Sequence, residues 1–365
     1  KMKIGILTSS RADYGIYVPI LNKIKKDDFF KLEIIAFGSH LSTTHGLTIK
    51  EIVNDDFEII HKVHTSFYND SEKGISASYG EIIISFSKFW NDNKYDLVFC
   101  LGDRYEMSAA VQASIPFNLR LAHIHGGETT LGAIDNIYRH QITLASHIHL
   151  VASQKFLNKV IDLIGTTRNI YNVGSLSLDG LNKIKLPLWS EVQESFEIPK
   201  REFILATFHP ETIDVNANYF FVDIICDALN LLSNNYHVII TLPNADTKGS
   251  LYRESFLKLK EKKSKNFTLI NSFGKFNYFA AMKASKVILG NSSSSIIEAP
   301  SFGKYVINVG KRQLGRLRSK NVIDVSYNTD EIINGVKIAI SKGLYEGVNE
   351  YYMPNTASNI INIIK

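Results

Sequence analysis

The feature that most restricts what this chain can fold into is a repeated unit. Each unit is a short, nearly all-apolar run, then a polar end, then a segment with helical periodicity. "KIGILTS" (3–9), "LEIIAFG" (32–38), "DLVFCLG" (96–102), "LRLAHIH" (119–125) and "HIHLVAS" (147–153) are such runs, and "FEIIHKVH" (57–64) is a weaker one. A continuous apolar run bounded by turn residues reads as a strand covered on both faces, the state of a parallel strand. The rhythm restarts with "FILATFH" (203–209), "HVIITLP" (237–243), "FTLIN" (267–271), "KVILG" (286–290) and "KYVINVG" (304–310). Helices are predicted over 12–26 and near 77–92, 218–232, 251–262, 276–284 and 329–342, with Pro19 better suited to a first turn than to a helix interior. Two copies of a βα pattern predict an α/β protein of two doubly wound domains facing a cleft. The domains are expected at 1–180 and 181–354. The polar stretch "LPLWSEVQESFEIPKRE" (186–202), with its two prolines, is read as containing the linker. A C-terminal helix within 355–365 is expected to cross back to the first domain.

At 365 residues the chain is long enough for two cores. Its formal charge of +5 is spread along the chain, whereas nucleic-acid binding concentrates basic residues on one face, so no nucleic-acid partner is expected. The basic run "KLKEKKSKN" (258–266) reads as a solvated helix end. Two distant cysteines, Cys100 and Cys226, form neither a disulfide framework nor a zinc pattern. The first residues read as a strand rather than a signal peptide, and no apolar stretch reaches the length of a membrane span. A cytoplasmic protein without membrane association is expected.

The strand ends carry the chemistry. Asp103, Arg104 and Glu106 follow the run at 96–102, where open parallel sheets bind ligands. The plainer alternative is a helix start with Asp103 as N-cap and Glu106 completing a capping box. "TSSRADYG" (8–15) places Arg11 at a strand-to-helix turn, where an anion would gain from unpaired backbone N–H groups. "HIHGGETTLGAIDNIYRH" (123–140) is the densest polar stretch, holding His125, Glu128, Asp135 and Arg139. Asp135 and Arg139 share a helix face, which alone would suggest a simple intrahelical ion pair. Gly126 and Gly127 allow a sharp turn or a close approach to a ligand. Four of the eleven histidines fall between 123 and 147, but without metal-ligand spacing, so no metal is expected. "TFHPET" (207–212) ends a strand on His209, and "LPNADTKG" (242–249) holds Asn244. In "LGNSSSSIIEAPSFGKYVINVGKRQLGR" (289–316), Ser292, Ser293 and Ser294 open a helix and form a candidate diphosphate cradle. Glu298 is placed to accept ribose hydroxyls, and Arg312 and Arg316 follow the next strand. No G-x-G-x-x-G or P-loop is present, which gives a dinucleotide reading no support.

Taken in order, "TSSRADYG", "GDRYE", "HIHGGE", "IDNIYRH", "FHPET", "PNADT", "GNSSSSIIEAP" and "VGKRQLGR" resemble the UDP-N-acetylglucosamine 2-epimerase family, and within it the hydrolysing branch. The resemblance implies a GT-B-like pair of Rossmann-like domains, with the nucleotide held mainly by the second. It implies Asp103 and Asp135 as proton-transfer carboxylates, with Arg139 and His209 stabilising developing charge. Arg11, Ser292, Ser293, Ser294 and Glu298 correspond to nucleotide-binding positions. It also implies a nucleotide-sugar substrate, no cofactor and a homodimer or homotetramer. The expected reaction is elimination of the nucleotide diphosphate to a 2-acetamidoglycal, then hydration with inverted C2. One departure stands out: sialic-acid enzymes of this branch commonly read His-Ile-Glu-Gly-Gly-Glu, and His125 occupies the place of the first Glu. A sugar of the legionaminic-acid route, UDP- or GDP-2,4-diacetamido-2,4,6-trideoxyglucose, is the alternative substrate. A GT-B glycosyltransferase and a non-catalytic nucleotide-sugar-binding module are the other readings.

Overall fold

Both sheets are built on the same plan, a central strand pair from which the chain winds outward in two directions. The computed structural model describes residues 1–43, 47–57, 60–66, 68–129, 131, 134–243 and 248–365. The first sheet contains β1 (Met2–Thr8), β2 (Phe30–Ala36), β3 (Ile60–Lys62), β4 (Leu97–Leu101), β5 (Leu121–Ile124), β6 (Ile148–Val151) and β7 (Ile170–Asn172). Its order is β3-β2-β1-β4-β5-β6-β7. The second contains β8 (Phe203–Thr207), β9 (His237–Thr241), β10 (Phe267–Ile270), β11 (Val287–Gly290), β12 (Val306–Val309) and β13 (Val322–Val325), in the order β10-β9-β8-β11-β12-β13. All the described strand pairings are parallel. The order reverses between β1 and β4 in one sheet and between β8 and β11 in the other, and such switch points are where open α/β sheets bind ligands.

The helices are α1 (Arg11–Lys25), α2 (Ile49–Asn54), α3 (Glu72–Asp92), α4 (Tyr105–Gln112), α5 (Asp135–Ala145), α6 (Gln154–Ile164) and α7 (Trp189–Ser195). They continue with α8 (Asn218–Leu232), α9 (Gly249–Lys262), α10 (Lys275–Ala284), α11 (Ser293–Ile297), α12 (Thr329–Lys342) and α13 (Thr356–Ile364). The chain divides into two units. One comprises Lys1–Thr129, Ile134–Asn182 and Tyr351–Lys365, and the other comprises Lys183–Glu350 with Leu131.

Strand alternation explains why the runs are apolar throughout. In the first unit Ile4, Ile6, Phe99 and Leu101 point to a core shared with Tyr17, Ile20 and Leu21 of α1. The intervening Leu7, Val98 and Cys100 face the opposite core with Phe86 and Trp90 of α3 and Met107 of α4. Each such side chain removed from water stabilises the fold by roughly 1.5–3 kcal/mol, so both faces demand apolar residues. The C-terminal helix α13 packs Ala357, Ile360 and Ile361 into the α1 side of this core. In the second unit Ile204 and Ala206 face α8, whereas Phe203 and Leu205 face the other way.

Several details depart from the sequence reading. The segment read as linker contains α7, which buries Val192 and stacks Trp189 on Phe203 at 4.8 Å between ring centroids. Its apolar positions are too few to show a period over seven residues. Pro19 lies inside α1, not in its first turn. Asp103 is not the N-cap of α4: that position is Arg104, without a side-chain cap bond. Among the described residues no helix is long and apolar enough to cross a membrane, and no group of three or more His, Cys, Asp or Glu is placed to hold a metal ion. Cys100 is buried and Cys226 half-buried, both free thiols.

Candidate active site

In the first unit the turn after β1 is held by Asp13. Its carboxylate accepts the Ser9 N–H at 2.9 Å and the hydroxyls of Thr8 at 2.6 Å and Ser9 at 2.8 Å, while Ser10 caps α1 in a reciprocal capping box. Asp13 is thereby part of the scaffold. Arg11 stands next to it at the first position of α1, half-buried.

The ends of β4 and β5 are joined by Arg139. This guanidinium on α5 is 2% exposed and reaches three places. Nη2 donates to Asp103, Nη1 donates to the His125 carbonyl at 3.1 Å, and Nη1 lies 3.3 Å from Glu128 Oε2. Glu128 is buried, while the Asp103 side chain is about a quarter exposed, at 25%. The expected Asp135 partner on the same helix is therefore not what orients Arg139. Asp135 opens α5 one turn earlier and is half-buried. Arg104 spans Glu106 with two bonds, Nη2 to Oε1 at 2.7 Å and Nε to Oε2 at 3.2 Å. A bidentate pair of this kind fixes the guanidinium plane.

His125 is turned inward. Its Nε2 accepts the Leu176 N–H at 3.3 Å, which puts the lone pair there and the proton on Nδ1, the nitrogen 3.9 Å from Glu128 Oε1. Its backbone is left-handed, with φ 65°. Neighbouring His123 is fully buried: Nε2–H donates to the Gly102 carbonyl at 2.9 Å, and Thr143 Oγ1 lies 3.1 Å from Nδ1. Burial pulls its pKa down to about 3, so this ring stays neutral and ties β5 to the end of β4. The glycine pair serves packing as well. Gly127 has φ 76°, and a Cβ there would stand 2.5 Å from the Phe156 carbonyl oxygen, so the close approach is to the first turn of α6.

In the second unit His209 follows β8 and is half-buried. Ser292 is the N-cap residue of α11, Ser293 and Ser294 are half-exposed on its first turn, and buried Glu298 ends it. Ser294 Oγ donates to Tyr278 Oη at 3.3 Å, and burial raises the Tyr278 pKa, so the phenol stays protonated beneath the serines. Gly290 permits this arrangement, since a Cβ there would be 1.9 Å from the Thr207 carbonyl oxygen. Glu211, two residues after His209, is buried and gathers three donors on Oε1: the N–H groups of Lys311 and Arg312, each at 3.1 Å, and the Tyr327 hydroxyl at 2.8 Å. It thereby anchors the loop carrying Arg312. Burial raises the Glu211 pKa against the opposing effect of those donors. Asn244 lies outside the described residues.

Sequence reasoning missed Glu211, Asn291 and Tyr278. The first two lie inside the quoted motifs "FHPET" and "GNSSSS", where histidine and serine drew attention first. Tyr278 carried no signal, because only the fold brings α10 beneath α11.

The sequence pattern of UDP-N-acetylglucosamine 2-epimerases matches residues 22–365. The chain belongs to this family. Among 2-epimerase relatives, the GDP/UDP-N,N'-diacetylbacillosamine 2-epimerase (hydrolyzing) of Campylobacter jejuni is 34% identical over 329 residues, covering 90% of this chain and 85% of that protein. The polysialic acid biosynthesis protein P7 of Escherichia coli is 33% identical over 367 residues, covering 100% and 93%. The solved UDP-GlcNAc 2-epimerase of Neisseria meningitidis, bound to UDP-GlcNAc, superposes with a TM-score of 0.80 at 18% identity, covering 100% of this chain and 99% of that one. The fold of the 2-epimerases is thus present throughout, as two Rossmann-type, GT-B-like domains.

Proposed function

We propose that the chain hydrolyses a nucleotide-linked 2-acetamido sugar with inversion at C2, converting UDP-N-acetylglucosamine to N-acetylmannosamine and UDP. The observation that carries this reading is the placement of the candidate groups. Asp103, paired with Arg139 of α5, follows β4 in the first unit, and His209 and the serines follow β8 and β11 in the second, all at the carboxyl ends of strands beside each switch point. In the reaction a carboxylate takes the C2 proton, and the C1–O bond breaks with its electron pair leaving on the nucleotide diphosphate. A 2-acetamidoglycal remains. Water then places hydroxyl on C1 and a proton on C2 from the opposite face.

The C2–H is a weak acid, so the step needs a positioned base and a stabilised leaving group. Asp103 and Asp135 are the proton-transfer carboxylates in this reading. Arg139, held by Glu128 and the His125 carbonyl, fixes Asp103. The second unit is the nucleotide-binding domain: Ser292, Ser293 and Ser294 take the diphosphate, Glu298 the ribose, and His209 and Arg312 the charge developing on the leaving group. Arg11, Arg104 and Asn244 complete the substrate contacts. The protein works in the cytoplasm as a homodimer or homotetramer, which light scattering after size exclusion tests.

A second reading has the same chemistry on UDP- or GDP-linked 2,4-diacetamido-2,4,6-trideoxyglucose. The names of the Campylobacter jejuni relative and of a Legionella pneumophila relative 31% identical over 364 residues favour it, as does His125 at the position of the usual Glu. Proton NMR in D₂O with each nucleotide sugar tests both. The expected result is released nucleotide diphosphate and a free sugar of inverted C2 carrying deuterium there. Turnover only after an acceptor is added would identify a glycosyltransferase instead.

A further inference from the structure

We infer that Asn291 is the positioning residue of His209. This rests on the reading of His209 as a group that meets the leaving diphosphate. Strands β8 and β11 pair in parallel as far as Thr207 and Gly290, and the Asn291 N–H makes the last main-chain bond, to the Thr207 carbonyl at 3.1 Å. Beyond it the side chain continues what the backbone began. Asn291 Oδ1 accepts the His209 N–H at 2.7 Å, and Nδ2 donates to the His209 carbonyl at 2.8 Å. One primary amide thus satisfies both main-chain groups of one residue, as a neighbouring strand would. Pro210 follows directly and has no N–H of its own to extend a ladder.

The clamp is itself fixed. Asn291 is 0% exposed, and its carbonyl accepts Gln313 Nε2 at 2.8 Å. Asn291 also directly precedes Ser292, the N-cap residue of α11, but its side-chain amide bonds reach His209 and not the serines. Asparagine alone among similar shapes supplies both a donor and an acceptor here. Aspartate would keep the acceptor for the His209 N–H but set a second acceptor against the His209 carbonyl, leaving a buried oxygen opposed rather than bonded.

The test is a double-mutant cycle on the full chain with Asn291→Asp and His209→Ala, reading kcat, UDP affinity and melting temperature. Asn291→Asp is expected to lower kcat by about 30-fold or more, with UDP affinity held within about threefold. In the His209→Ala background the same change is expected to cost less than about twofold further, because the residue acts through His209. Additive losses, or wild-type kcat in Asn291→Asp, overturn the assignment. If Asn291→Asp does not fold, Asn291→Ser runs the same cycle. The functional reading is separable. If the wild-type chain turned over no nucleotide sugar, that reading would fall, and the clamp would be judged from the ring ¹⁵N resonances of His209. Asn291→Asp is expected to move them; unmoved resonances overturn the clamp.

Discussion

Arg139 shows how one side chain can organise a strand end. Its two terminal nitrogens serve separate partners, Asp103 from one and Glu128 with the His125 carbonyl from the other. That geometry needs the planar fork of a guanidinium, and an ammonium has a single nitrogen to offer. Arg139→Lys is expected to retain the fold, since a cation still faces buried Glu128, but to lose about 100-fold or more in kcat as Asp103 is released. Arg139→Met leaves Glu128 buried without its cation and is expected to cost about 3 kcal/mol of stability as well. Turnover assays and urea unfolding of both variants check this; a lysine variant with wild-type kcat would show that the fork is dispensable. These residue types and positions could be read from the sequence, but their partners could not. Asp135 was the nearest acid to Arg139 at helical spacing. The acids that hold it come from 36 residues away at the end of β4 and from the turn after β5, a juxtaposition only the parallel sheet creates.

Elements were legible wherever burial imposed a long, regular pattern. The double-sided burial of β1, β4, β8 and β11 leaves no polar position inside the buried stretch of each, so their runs stand out. Short pieces carry too few residues for a period: the sequence reads α7 as linker and gives no expectation of α2, β7 or β13, and the eleven-residue α6, which buries Phe156 and Val160, is likewise missed. Glycines were legible as special but not as to purpose. "HIHGG" suggests a sharp turn or a backbone approaching a ligand; Gly127 has the left-handed φ of a turn, and the turn after β5 lies against the carbonyl of Phe156 in α6. Gly127→Ala must both relieve a 2.5 Å overlap and hold an alanine at φ 76°. It is expected to destabilise the first unit by about 2 kcal/mol or more. Calorimetry of the variant checks it, and a melting temperature equal to the wild type would mean that α6 moves aside at no cost.

At the scale of the whole molecule, buried neutral histidines set the response to acid. Burial lowers His123 to about 3 and His149 to about 4 in the first unit, and His237 to about 4 in the second. His40 is also lowered, chiefly by burial and against the attraction of Asp13. At pH 7 such a ring is neutral both folded and unfolded, and contributes no pH dependence. As pH falls through about 6.5 the unfolded chain takes up protons that the folded rings refuse, so stability is lost between about 6.5 and the folded values, by up to about 1.4 kcal/mol per pH unit for each ring. Glu51 and Glu211, raised mainly by burial, act in the opposite sense, because the folded state binds their protons first. That gain begins at their raised folded values and is complete below the ordinary carboxylate range; two such carboxylates stand against four lowered rings, so the net slope from pH 7 to 5 follows the rings. Calorimetry at pH 7, 6 and 5 is expected to show a falling melting temperature with net proton uptake on unfolding. His123→Gln, which keeps a donor for the Gly102 carbonyl and cannot ionise, is expected to flatten that slope by the share of one ring. A slope unchanged in the variant would mean that His123 is protonated in the folded chain and that its bond to Gly102 does not depend on a neutral ring.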